Sequence, residues 1–292
     1  MKQFLIYTAK ILLLTFLLLV ILDIVYTQVY LNSSYRGKID YVYNSNAREY
    51  DVVVLGSSRA NNHFVTALFE EKGINAFNYG MSGGHLFEAD LLLKLMVERK
   101  YKIKNLILET DLNLSNESRS DAVTAKFLPY IHLSEPIQKQ FLSEPDFRLI
   151  YYVPFYRYIK FDNAIGFREM YNRLIHEQTN TLKNGGFYAL QNKKGNMKND
   201  IRALKPIHNK YYEEIKEICK TNDINLIAIM TPMCSNTKGL DYFEKVNKIY
   251  PEIHNYENVV LEDKYFYSCG HMNDAGAKLF TAKVIKDFFS NY

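Results

Sequence analysis

Asp51-Val52-Val53-Val54-Leu55-Gly56-Ser57-Ser58-Arg59 is the stretch that decides the fold. A short β-branched run stopped by a glycine reads as a buried parallel strand ending in a tight turn. Open α/β sheets carry their ligand crevice outside the carboxyl ends of the strands. Ser58 therefore falls where such a sheet does its chemistry, and a hydroxyl there is a nucleophile once a base reaches it. The base candidate is distant, His271 in Gly270-His271-Met272-Asn273-Asp274-Ala275-Gly276-Ala277. Two blander roles stand beside this one: Ser58 as the cap of the following helix, and Ser57 as the hydroxyl that reacts instead.

Outward from that stretch, strands and helices alternate. Asn62–Gly73 reads as a helix, Ile74–Phe77 as a second strand, and Leu86–Arg99 has apolar residues at helical spacing. Lys104–Thr110, Asn225–Met230 and Asn258–Leu261 read as the third, fourth and fifth strands, and Ala275–Ser290 as the closing helix. Such alternation predicts an α/β domain, a parallel sheet of about five strands covered on both faces. The domain is expected over 51–292. A helical insertion at about 115–205, rich in aromatics from Tyr151 to Tyr171, breaks the rhythm. It reads as a cap with core aromatics or as a lid over the site.

The first residues are of a different kind. Leu5–Tyr26 is almost free of charge, follows Lys2, contains Lys10, and is long enough for the roughly 20 apolar residues that a spanning helix needs. No small-x-small cleavage site follows Leu22, so an uncleaved anchor over 1–30 is expected ahead of the two alternatives, a cleaved signal peptide and a buried helix of a soluble protein, with a juxtamembrane linker over 31–50. The two lysines place the amino end in the cytoplasm and the main domain outside it, in a bacterium at the envelope. The lipid bilayer is thus the first expected partner, through residues 5–26.

Composition narrows the rest. The chain has 292 residues, 48% of them hydrophobic, with 24 Tyr, 18 Phe and no Trp, as in a packed globular protein. Its net charge of +4 is too slight, and too evenly spread, for nucleic-acid binding. Cys219, Cys234 and Cys269 lack metal-site spacing. They read as buried thiols, with one disulfide as the alternative in an exported domain.

Three segments together resemble the SGNH (GDSL-type) hydrolase superfamily. Strand-Gly56-Ser57-Ser58 looks like its first block, with Ser57 in place of the usual Asp. Asn78-Tyr79-Gly80-Met81-Ser82-Gly83 resembles the second, and His271-Met272-Asn273 with Gly276-Ala277 the last. The resemblance implies a flavodoxin-like three-layer sandwich with Ser58 as nucleophile and His271 as base. The oxyanion donors would be the Ser58 and Gly83 amides with Asn113. It implies no metal and no organic cofactor. Gly80, Gly83 and Gly84 serve equally as a tight turn. The third block departs: Glu109-Thr110-Asp111-Leu112-Asn113 has no glycine, so either Asn113 or Asp111 takes the family's Asn position. The last block departs too, with Ser268 where the family has an Asp to orient the histidine; Asp263 is the other candidate for that role. Asp274 reads as the cap of the last helix. Arg59, Asn78, His85 and Asp111 are the expected substrate-binding residues, although Arg59 also suits an ion pair and Asn78 the ordering of its loop. From anchoring and from such relatives, the expected substrate is an acylated cell-surface glycan and the expected partner is the envelope polysaccharide machinery. The activity expected is ester hydrolysis or O-acyl transfer. A degenerate, non-catalytic binding protein is the rival.

Overall fold

A computed structural model describes residues 1–33, 36–191 and 196–290. Ser34 and Tyr35, in the expected linker, lie outside the described residues, as do the last two residues of the expected domain. The chain divides into two compact units, 1–45 with 121–178 and 46–120 with 179–292.

The second unit holds a five-stranded parallel sheet. Its strands are β1 (Glu49–Leu55), β2 (Ala76–Asn78), β3 (Lys102–Glu109), β4 (Asn225–Met230) and β5 (His254–Asn255), in the order β2-β1-β3-β4-β5. That is the doubly wound, flavodoxin-like order. Val52, Val54, Ile107, Ile227 and Ile229 enter one apolar core with Phe64, Phe280 and Val284. The alternate residues Val53, Leu106, Leu108 and Ala228 are buried as well. Burial on both faces is why these strands read as unbroken apolar runs.

Four helices in this unit matter to the site and its support: α2 (Ser58–His63), α3 (Leu86–Glu98), α4 (Lys210–Thr221) and α5 (Asp274–Phe288). Helices α3 and α4 pack together, with Phe87 edge-on to Tyr211 at 5.2 Å. Three expectations change. The helix expected over 62–73 is two short helices, Ser58–His63 and Thr66–Glu70, because Phe64 is extended and the Val65 N–H bonds to Thr281 Oγ1 at 3.0 Å. The fifth strand is His254–Asn255, paired with Ile229 and Met230, not Asn258–Leu261. In the latter run only Val260 enters the core, while Val259 and Leu261 face outward. The cap of α5 is Asn273, whose side chain accepts from the Gly276 N–H; Asp274 pairs with Lys278 at 2.6 Å.

The first unit is helical. Helix α1 (Lys2–Leu31) is long and apolar enough to cross a membrane by length and composition. Its last third packs with residues 121–178. Asp23 accepts from the Phe155 N–H at 2.7 Å and from Arg157 at 2.8 Å, and Thr27 shares a hydrogen bond with Tyr158 at 2.8 Å. Arg157 is almost fully buried. Of the aromatics noted in the sequence, Tyr158 is core, whereas Tyr152, Phe167 and Tyr171 are exposed.

Candidate active site

Strand β1 ends at Gly56, whose φ of +139° belongs to the region where glycine is favoured. A Cβ there would come within 2.8 Å of the Glu109 side chain. The turn hands the chain to Ser57, the cap of α2, whose hydroxyl accepts from the Arg59 N–H at 3.1 Å. Ser57 is thereby the capping residue. Ser58 is the first residue of the helix and the one residue between Val52 and Thr66 that is not buried. Its N–H has no carbonyl one turn back within the helix to bond.

His271 arrives from the other end of the chain on a short hairpin, in which Phe266–Ser268 pairs antiparallel with His271–Met272. Ser58 Oγ lies 2.8 Å from His271 Nε2. Ser268 Oγ lies 3.4 Å from His271 Nδ1, at the long edge of hydrogen bonding. The network assigns the tautomer: Nε2 accepts the serine proton and Nδ1–H points to Ser268. Burial, with the Arg59 guanidinium as a second cause, pushes the imidazole down to about 4. At neutral pH it is an uncharged acceptor.

Beneath this pair lies a buried polar layer that motif reading passed over. The Arg59 side chain is a structural cation rather than a ligand for substrate. It pairs with Asp111 at 2.5 Å and donates to the Thr231 hydroxyl and carbonyl and to the Pro232 carbonyl at 2.8–3.0 Å. It also donates to the Met233 sulfur. Asp111 in turn accepts from the Thr231 N–H and hydroxyl, at 2.5 and 2.7 Å. It is fully buried and spent on this network, with φ +26°, so it is not placed to bind substrate. Glu109 accepts from the Ser57 N–H at 2.7 Å and its hydroxyl at 2.6 Å through one oxygen. Its other oxygen has no partner among the described residues. Burial, and then the negative charge of Asp111, push Glu109 up to about 8. One buried cation thus faces one buried anion, and Glu109 keeps its proton at neutral pH.

His63, at the far end of α2, completes the frame. Its Nε2 accepts from the Met272 N–H at 3.0 Å, and Nδ1 donates to Thr231 Oγ1 at 3.0 Å. Burial holds this imidazole well below its usual range, hence neutral. The two ends of one six-residue helix therefore grip adjacent residues of the hairpin: Ser58 holds His271, and His63 holds Met272.

The remaining expected residues are placed as follows. Asn78 is fully buried and its amide is fully used, donating to the Ala60 and Phe64 carbonyls at 2.7 and 3.0 Å and accepting from Gly80 at 2.9 Å. It orders the loop and is not available to a substrate. Gly83 is exposed at φ +77°, and the turn closes through the Gly84 N–H on the Met81 carbonyl at 2.8 Å, leaving the Gly83 N–H out of it. Gly80 is needed for close approach, since a Cβ there would meet the Asn61 nitrogen at 2.5 Å. His85 precedes α3; its N–H bonds to Glu88 at 2.7 Å and its ring nitrogen lies 3.4 Å from Ser118 Oγ. Asn113 is half-buried in a 3-10 turn, and its carbonyl accepts from Asn209 at 3.3 Å. Asp263 is exposed and reaches Ser235 and Asn236 at 3.4 Å, so it is not the group that orients His271.

The cysteines also depart from expectation. Cys234 and Cys269 form a disulfide, because the loop after β4 and the hairpin bearing His271 meet there; Cys219 is the buried thiol. The bond lies two residues from His271 and three from Thr231.

No family model matches the chain, and no curated protein matches it. A solved structure from Streptococcus pneumonia, called a "putative platelet activating factor", aligns over 97% of this chain and 98% of its own with 12% identity and a TM-score of 0.32. That likeness is too slight to add to the geometry.

Glu109, Thr231 and His63 are what sequence reasoning missed. Two weak signals pointed to them. Glu109 is a charged residue closing the apolar run Leu106-Ile107-Leu108, and Thr231 follows the buried end of β4, where a hydroxyl faces the same edge as Ser58. His63 carried no signal beyond lying five residues after Ser58.

Proposed function

We propose that this chain is a membrane-anchored serine acyl hydrolase or O-acyltransferase of SGNH type. The observation that carries the reading is the 2.8 Å contact between Ser58 Oγ and His271 Nε2, at the carboxyl edge of a parallel sheet. His271 takes the Ser58 proton as Oγ attacks an ester carbonyl. The developing oxyanion is met by the Ser58 and Gly83 N–H groups, and the imidazolium returns its proton to the leaving alkoxide. Water, or a sugar hydroxyl, then resolves the acyl-enzyme by the reverse sequence. The substrate is an acyl group, acetyl first, on a cell-surface glycan. The domain acts outside the cytoplasmic membrane, held there by α1 with its amino end inside. The Cys234–Cys269 disulfide supports that side of the membrane, since such bonds persist in oxidising compartments.

A second reading rests on the partner of His271. A hydroxyl at 3.4 Å fixes the ring only loosely and does nothing to stabilise the imidazolium that catalysis forms beside Arg59. A fold that keeps the pair but only binds acylated glycan would look the same.

Fluorophosphonate labelling of the full chain in detergent separates the two. Labelling of the wild type, lost in Ser58→Ala and in His271→Ala, supports the hydrolase. A folded wild type that does not label makes the binding protein the reading to pursue.

A further inference from the structure

The part of α1 that is exposed on all sides is too short for a bilayer, and this sets the depth of the helical unit built on it. Every residue up to Leu18 is exposed; beyond it one face is covered, with Leu19, Val20, Leu22 and Asp23 partly covered and Tyr26 buried, while Ile21, Ile24 and Val25 stay exposed. From Phe4, after the polar Lys2-Gln3, to Leu18 the helix rises roughly 22 Å, against about 30 Å of hydrocarbon. If Lys10 marks the inner boundary, the shortfall grows. The missing depth lies along the stretch that residues 121–178 cover.

That stretch is built for such a place. Both Asp23 oxygens are occupied, one by the Phe155 N–H and one by Arg157, so its carboxylate enters a low dielectric already paired. The chain around these partners turns apolar side chains outward. Tyr152 is 71% exposed and Ile159 59%, with Leu149 and Val153 also outside. Tyr152 and Pro154 border the same small cavity as Val20 and Asp23, which fixes their height on α1. In water these side chains would be an unexplained apolar rim. At the level of Asp23 they meet lipid, and tyrosines are at home at that boundary.

We propose that the segment 149–159 is a second membrane contact, seated in the outer interface of the bilayer that α1 crosses. The occupant is lipid, not a protein. This rests on α1 being a spanning anchor.

The chain has no tryptophan, so single-tryptophan variants report unambiguously. Full-length Tyr152→Trp and Leu14→Trp, both at exposed positions, are reconstituted into phosphatidylcholine vesicles brominated either near the headgroup or deep in the acyl chains. Leu14→Trp is expected to lose emission to deep bromines. Tyr152→Trp is expected to lose as much to shallow bromines and to be shielded from iodide. Iodide quenching of Tyr152→Trp without bromine quenching would overturn the proposal and leave the anchor intact. Shielding from both quenchers would overturn it in favour of a protein cover. Failure of Leu14→Trp to respond to deep bromines would overturn the anchor itself, and the proposal with it.

Discussion

Ser268→Asp should convert the serine–histidine pair into a stronger catalyst and change its pH dependence in a way that can be calculated. Ser268 Oγ is 3.4 Å from His271 Nδ1, so a carboxylate at that position faces the ring directly. Two unit charges about 4 Å apart interact by about 4 kcal/mol at an effective dielectric of 20. At 1.36 kcal/mol per unit this is up to ~3 pKa units, and desolvation of the new carboxylate leaves roughly 2. His271, now held down at about 4, should titrate roughly 2 units higher in the variant. The assay is the second-order rate of fluorophosphonate labelling between pH 3.5 and 8.5. The wild type should stay reactive down to about pH 4, the point at which His271 takes up its proton. The variant should have a higher plateau, by roughly 10- to 100-fold, because the imidazolium formed in the transition state now has a counter-charge. Ser268→Asn, equal in size and uncharged, should move neither limb nor plateau. A wild-type limb near pH 6.5, or an aspartate variant whose limb stays with that of the asparagine variant, would refute the electrostatic account of His271.

Glu109→Gln should flatten a slope in stability. Glu109 holds its proton up to about 8 in the fold, above its unfolded value, so its contribution is complete below about pH 4.5 and is lost as pH rises through 8. Melts followed by circular dichroism at pH 5 and pH 9 should differ less in the variant, whose amide still accepts from Ser57. For Arg59→Met the buried Asp111 is left without its cation, and a cost of about 3–5 kcal/mol is expected, read as a large fall in melting temperature. Labelling should fall in parallel, because α2 loses the Arg59 tie to Thr231 and the loop after it and keeps only that of His63. Cys234→Ser opens a closure of 35 residues, and the chain-entropy estimate is about 4 kcal/mol. Reductant should lower the melting temperature of the wild type and leave that of the variant unchanged.

The sheet was readable wherever burial made its strands continuous. Asn225–Met230 was placed to the residue, and Asp51–Leu55 to within two, because apolar runs bounded by glycine, proline or threonine have few other uses. The fifth strand was not readable, since His254–Asn255 is two polar residues at an edge, paired by backbone alone. The pair Ser58 and His271 could be named because each sits in a motif with a glycine beside it. The layer beneath could not. Arg59 and Asp111 looked like exposed ligands because a charge in a sequence carries no sign of its burial. Only the fold shows that each neutralises the other. The disulfide was hidden for a similar reason: three cysteines allow several pairings, and contact across 35 residues is a property of the tertiary structure.

The hydrogen bond between Asp23 and Arg157 spans 134 positions. A ribosome adds about 5–20 residues per second. For an interval on the order of ten seconds at these rates, α1 has been made but the arginine that answers its carboxylate has not. If α1 spans the membrane as proposed, its outer end carries an unmatched charge throughout that time and resists sinking further into the lipid. On that proposal the late-made arginine would act as a latch: the anchor would take its final depth only when residues 121–178 have emerged and Arg157 has closed on Asp23.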